Sequence, residues 1–352
     1  MKKISLVLIA SLLLFFLTGC TSTEKKEDTG MDNNPDSRTE FLMGTVVTIK
    51  IFDEGKAEVL DQIFDRIEEL ADKITVNDAG GSEVDKINAN AGKEPVKVSD
   101  EVFELIKMGK EYSELADGSF DITVGPLTNL WRIGFPDARK PSQEEIDSAL
   151  PFIDYRAVTL DEDSRTVFLQ KEGMALDLGA IAKGYIADEV VDILEKEGVQ
   201  SAIIDLGGNI YVRGENYKGK PWGVGIQDPF SPRGEVIGKI DLSDKSVVTS
   251  GIYERYLEVD GKRYHHILNP KTGYPYDNGL AGVSVITDHS VDGDALSTTL
   301  FSQGLEDGLA LAEKLDGVEA LFVTIDKKVY LTSGLKGRFE LLNDDFRIMN
   351  GE

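Results

Sequence analysis

Cysteine is all but missing from this chain: Cys20 is the only one in 352 residues, so no disulfide can close within it and no zinc site of cysteine spacing exists. Histidine is nearly as scarce, with His265, His266 and His289 alone, and any imidazole base must be one of these three. Basic residues are in deficit, 38 against 63 acidic ones, for a formal charge of −25. That balance argues against nucleic acid or an anionic lipid surface as the main partner. Neither a GxSxG elbow nor a Walker GxxxxGK[ST] loop occurs, which removes two large classes of hydrolase.

Long apolar runs are also missing. The one candidate, Ile4 to Leu17, follows Lys2 and Lys3, is too short for an ordinary membrane span, and ends in Leu17-Thr18-Gly19-Cys20. Those four residues fit a bacterial lipobox, which predicts a signal peptide over residues 1–19 and a lipid on Cys20. The other reading is a free thiol behind an uncleaved anchor. Residues 20–40 are polar and without hydrophobic period, and are expected to form a flexible tether. Loss of Lys2 and Lys3 with the leader takes the charge from −25 to −27, so the lipid would have to supply membrane contact. The remainder, about 310 residues, carries no second linker and is read as one catalytic domain over 41–345.

Along that domain, Phe41 to Phe52 alternates with β-branched residues and predicts a strand, with Met43-Gly44-Thr45 near its start. Gly44 there serves either a close ligand or a bulge. Leu60, Ile63, Phe64, Ile67, Leu70 and Ala71 share a helical face. A helix from Asp100 takes Ser99 as N-cap, and Ser142 with Glu145 forms a capping box. Strands are expected at 157–160, 166–169, 175–178, 201–205, 222–226, 236–242, 246–249, 256–259, 280–286, 320–325 and 328–332, with Thr249-Ser250-Gly251 as a small polar turn. Helices are expected at 290–303 and 305–315. Runs of strands broken by helices, without strict βα alternation, place the chain in the α+β class, with mixed, largely antiparallel sheets and packed helices.

Four stretches carry candidate chemistry. Asp177 to Asp188, with Gly179, Ala180 and Lys183, reads as strand, tight turn and helix start. Free N–H groups there and the Lys183 ammonium suit phosphate. A turn whose glycines serve packing, with Lys183 solvated, accounts for it equally well. Ser119-Phe120-Asp121 leads into Thr123-Val124-Gly125-Pro126 and has the composition of a contact loop or of a plain helix end. His265 and His266 sit at a strand end before Asn269-Pro270, so one should point into a site and the other away. Asp294 and Thr298, four apart on a helix, stack a carboxylate and a hydroxyl on one face; hard oxygen donors at that spacing suit Mg²⁺, although capping by Ser290 also explains the segment. Trp131 and Arg132 fit either an aromatic ligand or the core.

Assembled in this order, the chain from Phe41 to Thr332 resembles the FAD:protein FMN transferases of the ApbE family. The resemblance rests on Met43-Gly44-Thr45, the Ser119 to Pro126 run, Asp177 to Asp188, Asp205-Leu206-Gly207-Gly208-Asn209, His266-Ile267-Leu268-Asn269-Pro270-Lys271-Thr272-Gly273 and Asp294-Ala295-Leu296-Ser297-Thr298. It implies FAD contacts at Met43, Ser119, Phe120, Asp121, Asp177, Lys183 and Ile267. It implies Mg²⁺ on the Ala180 carbonyl, Asp294 and Thr298, and His266 as the catalytic histidine. The implied reaction joins FMN from FAD to a Ser or Thr hydroxyl of a secreted or membrane-attached acceptor protein and releases AMP, at the outer face of a bacterial membrane. Two positions depart from the family pattern. No aromatic stands at Asn77-Asp78, and Asn269 replaces a frequent Asp, removing a charge near His266. A FAD pyrophosphatase yielding FMN and AMP, and a non-enzymatic solute-binding lipoprotein, are the competing readings.

Overall fold

The computed structural model describes residues 31–76 and 80–350; the leader, Cys20 and the Asn77-Asp78 position lie outside them. A nine-stranded sheet runs in the spatial order Met31–Leu42, Thr45–Asp53, Ala202–Leu206, Asn209–Arg213, Lys245–Gly251, Leu280–Thr287, Glu319–Thr324, Lys328–Leu331, Arg347–Ile348. Every pairing between these neighbours is antiparallel except the last. With eight α-helices and three smaller sheets among the described residues, the chain is α+β.

Side-chain alternation decides which face each strand buries. Val47, Ile49 and Ile51 turn inward against the Val59–Ile74 helix, whose Leu60, Ile63, Phe64, Ile67 and Leu70 form the expected apolar stripe. The strand Leu280–Thr287 is buried on both faces. Val283 and Val285 meet Leu296, Leu300 and Phe301 of the helix Ser290–Gln303. On the opposite side Ile286 shares a core with Val224, Ile226, Ile237 and Ile240 of the three-stranded sheet Trp222–Gln227, Val236–Leu242 and Phe339–Leu341.

The helix Ser290–Gln303 is buried almost all round and packs on the helix Ala182–Lys196 through Gly184. A Cβ on Gly184 would lie 2.3 Å from the Ser290 carbonyl oxygen, so only glycine admits this approach. The contact lets each helix cap the other. Asp188 accepts the Ser290 and Val291 amides at 2.7 and 2.9 Å, and Asp294 accepts the Gly184 amide at 2.9 Å. Asp188, and not Ser290, is therefore the capping side chain.

Several sequence expectations change. The single strand over Phe41–Phe52 is a hairpin, because Met43 and Gly44 take φ of 52° and 70° and turn the chain between two strands. Residues 31–40, expected to belong to a flexible tether, instead form part of an edge strand from Met31, held by backbone pairing that needs no apolar side chains, which is why polar composition concealed it. The domain runs past 345, since Arg347–Ile348 pairs with Lys328–Val329. Residues 175–178 form no strand; Ala175 makes one bridge to Val124, and Asp177 donates its amide to Ile122 instead of a ladder. Thr249-Ser250-Gly251 continues the strand Lys245–Gly251 rather than turning. Ser99 sits at the N-cap position of Asp100–Leu115, but its hydroxyl makes no cap bond; the Ser142–Glu145 box is present. No helix among the described residues is long and apolar enough to cross a membrane.

Candidate functional site

At one end of the sheet the tips of two hairpins lie side by side. Gly207, at φ 68°, would drive a Cβ to within 1.9 Å of Thr45 Oγ1, so the Gly207-Gly208 turn closes directly beside the Met43-Gly44 turn. These tips form part of the rim of a cleft of about 1500 Å³. The residues that the resemblance assigns to FAD, metal and catalysis line it: Met43; Ser119, Phe120 and Asp121; Asp177, Ala180 and Lys183; His266 and Ile267; Asp294 and Thr298. Cys20 lies outside the described residues.

The start of the Ala182–Lys196 helix is organised by a carboxylate of the protein itself. Asp294 Oδ2 takes the Gly184 amide, and Lys183 Nζ stands 3.4 Å from Asp294 Oδ1 and 3.3 Å from the Gly179 carbonyl. The picture of an open ring of N–H groups waiting for phosphate therefore gives way to a buried Asp294 already seated there, with a loosely held ammonium beside it. Gly184 N–H is the amide that would close a helical turn on the Ala180 carbonyl, and its donation to Asp294 diverts it from that oxygen. One turn along, Thr298 Oγ1 lies 3.1 Å from Ser250 Oγ.

No group of three His, Cys, Asp or Glu side chains is placed to hold a metal among the described residues. A cation here would rely on a mixed oxygen set: the Asp294 carboxylate, the Thr298 hydroxyl and the Ala180 carbonyl. One charged ligand and two neutral oxygens fit a hard ion that keeps waters and takes other ligands from phosphate, as Mg²⁺ does.

His266 also lines the cleft, delivered by the hairpin Tyr256–Val259 and Lys262–His265. The Arg255 carbonyl accepts both the His266 amide at 3.1 Å and Nδ1–H at 3.2 Å, which leaves Nε2 as the unprotonated nitrogen. Desolvation in the cleft, reinforced by Arg255, His265 and Lys183, pushes the imidazole from 6.5 down to about 4. His265 turns the other way: it is buried, Nε2–H donates to the Tyr276 carbonyl at 2.7 Å, and Nδ1 accepts from Ile267. Strand alternation thus separates the pair into one cleft residue and one core residue. Asn269 Oδ1 accepts the Lys271 amide at 2.8 Å and shapes the turn, a duty an aspartate would also perform.

Asp121 spends both carboxylate oxygens inside the protein, on Thr123 N–H and Oγ1–H at 2.8 and 2.6 Å and on the Tyr155 amide at 3.1 Å. Burial raises its pKa against those bonds. Its first task is to hold the Ser119–Thr123 loop. Asp177 Oδ1 accepts the Gly179 amide at 2.9 Å in an Asx turn. Trp131 is core, fully buried with Nε1–H on the Gly273 carbonyl at 2.9 Å.

Other cleft residues carried no motif. Arg233, Glu254 and Arg255 line it, with Arg255 reaching the Gly44 carbonyl at 3.4 Å, and burial raises Glu254 against the pull of Arg233, Lys183 and Arg255. Phe135, half-exposed at the cleft, stacks under Arg132 at 4.8 Å. For Arg233 and Arg255 the one sequence signal was positive charge in an acidic chain, too diffuse to select them; Glu254 and Phe135 carried none.

The fold and the cleft together are those of an α+β enzyme. The chain belongs to the ApbE family, whose model matches residues 43–322. It is 42% identical over 319 residues to a FAD:protein FMN transferase of Klebsiella pneumoniae (strain 342), covering 91% of this chain and 98% of that one. It is 36% identical to that of Treponema pallidum (strain Nichols), covering 88% and 90%. Among solved structures it resembles the ApbE protein of Thermotoga maritima, with a TM-score of 0.79, 34% identity and coverage of 87% and 99%. The flavin transferase ApbE of Vibrio cholerae follows with a TM-score of 0.76, 29% identity and coverage of 87% and 100%.

Proposed function

We propose that this chain is a FAD:protein FMN transferase that joins FMN to a Ser or Thr hydroxyl of an extracytoplasmic acceptor protein and releases AMP. The observation that carries this reading is the meeting, in one cleft, of an unprotonated histidine nitrogen with the Lys183–Asp294 helix start. His266 Nε2 takes the hydroxyl proton as the acceptor oxygen attacks the FMN phosphorus. The new phosphorus–oxygen ester bond forms as the pyrophosphate bond to AMP breaks, and the proton on His266 passes to the solvent or the departing phosphate. The attack leaves charge on the pyrophosphate oxygens, which the Lys183 ammonium offsets. The Ala180 carbonyl, Asp294 and Thr298 would hold Mg²⁺, which supplies further positive charge to those oxygens.

Met43, Ser119, Phe120, Asp177 and Ile267 line the space for the dinucleotide, and Asp121 keeps the Ser119 loop in shape. Residues 1–19 act as the leader and Cys20 as the lipid anchor on the outer face of the membrane. The reading is tested by incubating the chain with FAD, Mg²⁺ and a secreted acceptor protein. Flavin fluorescence on the acceptor with stoichiometric AMP is expected. AMP and FMN with no labelled acceptor would convert the proposal to a pyrophosphatase, and a chain that binds FAD without splitting it would leave only a binding lipoprotein.

A further inference from the structure

Asn209 is 2% exposed, yet it lines the cleft and its amide nitrogen has no hydrogen-bond partner. Buried side-chain donors are normally paired, so an unpaired one in a residue that lines a cleft marks a place where an acceptor belongs. The hydroxyls of Ser99, Ser243 and Thr299 are also unpaired, but none of them lines the cleft.

The orientation of the Asn209 amide is set from behind. Ser290 Oγ donates to Asn209 Oδ1 at 2.6 Å, and Ser246 Oγ donates to Ser290 Oγ at 2.9 Å. This relay ties down the carbonyl end and leaves the NH₂ end as the one without a partner. Ser290 lies one helical turn before Asp294 on the same stripe, so the relay holds Asn209 beside the part of the cleft that Lys183 serves. Asn209 also opens its strand directly after the Gly207-Gly208 turn, a rigid placement.

We propose that Asn209 is a phosphate-binding residue, donating its amide N–H to a pyrophosphate oxygen of the bound dinucleotide. This assignment rests on the flavin-transferase reading and adds a neutral donor to the cation at Lys183. A neutral amide binds the anionic oxygen without adding a second charge beside Asp294, and it takes no part in proton transfer.

The test is calorimetric titration of the full chain with FAD and, separately, with riboflavin, which lacks phosphate, in buffer containing Mg²⁺. Asn209→Asp keeps the acceptor for Ser290 but replaces the donor with a negative oxygen. Asn209→Ala removes the donor. Both should raise the Kd for FAD about tenfold or more, the range for losing a hydrogen bond to a charged group, and move the riboflavin Kd less than about threefold. FAD affinity unchanged in both variants overturns the assignment. An equal loss for FAD and riboflavin also overturns it, by showing that Asn209 only supports the fold. A wild-type chain that binds neither flavin overturns the transferase reading together with this assignment. Should either variant fail to fold, Asn209→Ser carries the same readout.

Discussion

Asp294 Oδ2 accepts the amide of Gly184 at 2.9 Å, joining two residues 110 positions apart and placing a buried carboxylate at the start of another helix. The consequence is a prediction for Asp294→Asn. The amide oxygen still receives Gly184 N–H, so stability should change by no more than about 1 kcal/mol. The charge is gone, so Mg²⁺-dependent AMP release should fall at least ~100-fold. Magnesium titration of AMP release, read beside a thermal melt, checks both halves. Full activity with unchanged magnesium dependence would remove Asp294 from the metal set.

Gly184→Ala tests the helix contact itself. The added methyl meets the Ser290 carbonyl at 2.3 Å and Val291 Cα at 2.6 Å, both backbone atoms that cannot swing away. Overpacking of this kind costs roughly 1–3 kcal/mol and pushes the helices apart. We expect a lowered Tm together with weakened Mg²⁺ binding. A variant as stable as the parent would contradict the packing described here.

Asp188→Ala should lose the caps on the Ser290 and Val291 amides and destabilise the chain by about 1–2 kcal/mol, measured by urea unfolding. Asp188 itself is raised by desolvation to about 6 from 3.8. A carboxyl raised in the folded state binds more protons folded than unfolded, so its contribution is greatest below about 3.8 and is lost as pH rises through about 6. The parent should therefore gain stability relative to Asp188→Ala as pH is lowered from 7 to 5, on top of the cap difference.

In the proposed transfer, His266 works as the neutral ring. Its pKa of about 4, against the ordinary 6.5, means that base-dependent transfer is lost only as pH falls through about 4. The acid limb of kcat/KM, which reports the free enzyme, should lie there rather than near 6.5. His266→Ala should lower transfer ~10²–10⁴-fold and abolish that limb while FAD still binds. An acid limb unchanged in the variant would assign the base elsewhere.

The α+β class, the helices Val59–Ile74 and Ser290–Gln303, and the order of the motifs were legible because they are local. Apolar period selects helix or strand over ten residues or so, and a capping box such as Ser142–Glu145 is complete within four. The hairpin at Met43-Gly44 was not, since nothing in alternation marks a methionine that takes positive φ. Nor was the edge strand from Met31, whose pairing is made by backbone groups common to every residue.

By itself, the sequence determined which groups this protein has for chemistry: three histidines, one cysteine, and a few carboxylates and lysines in recognisable company. Only the tertiary structure decided what they do to each other. It turned His266 toward the cleft and His265 into the core, drew Asp294 into the place an incoming anion was expected to fill, and left Asn209 in the cleft wall with an unpaired donor. The reason is that sheet order brings together segments far apart in the chain. Hydrogen bonding and desolvation depend on those neighbours in space, which side-chain period along the chain does not encode.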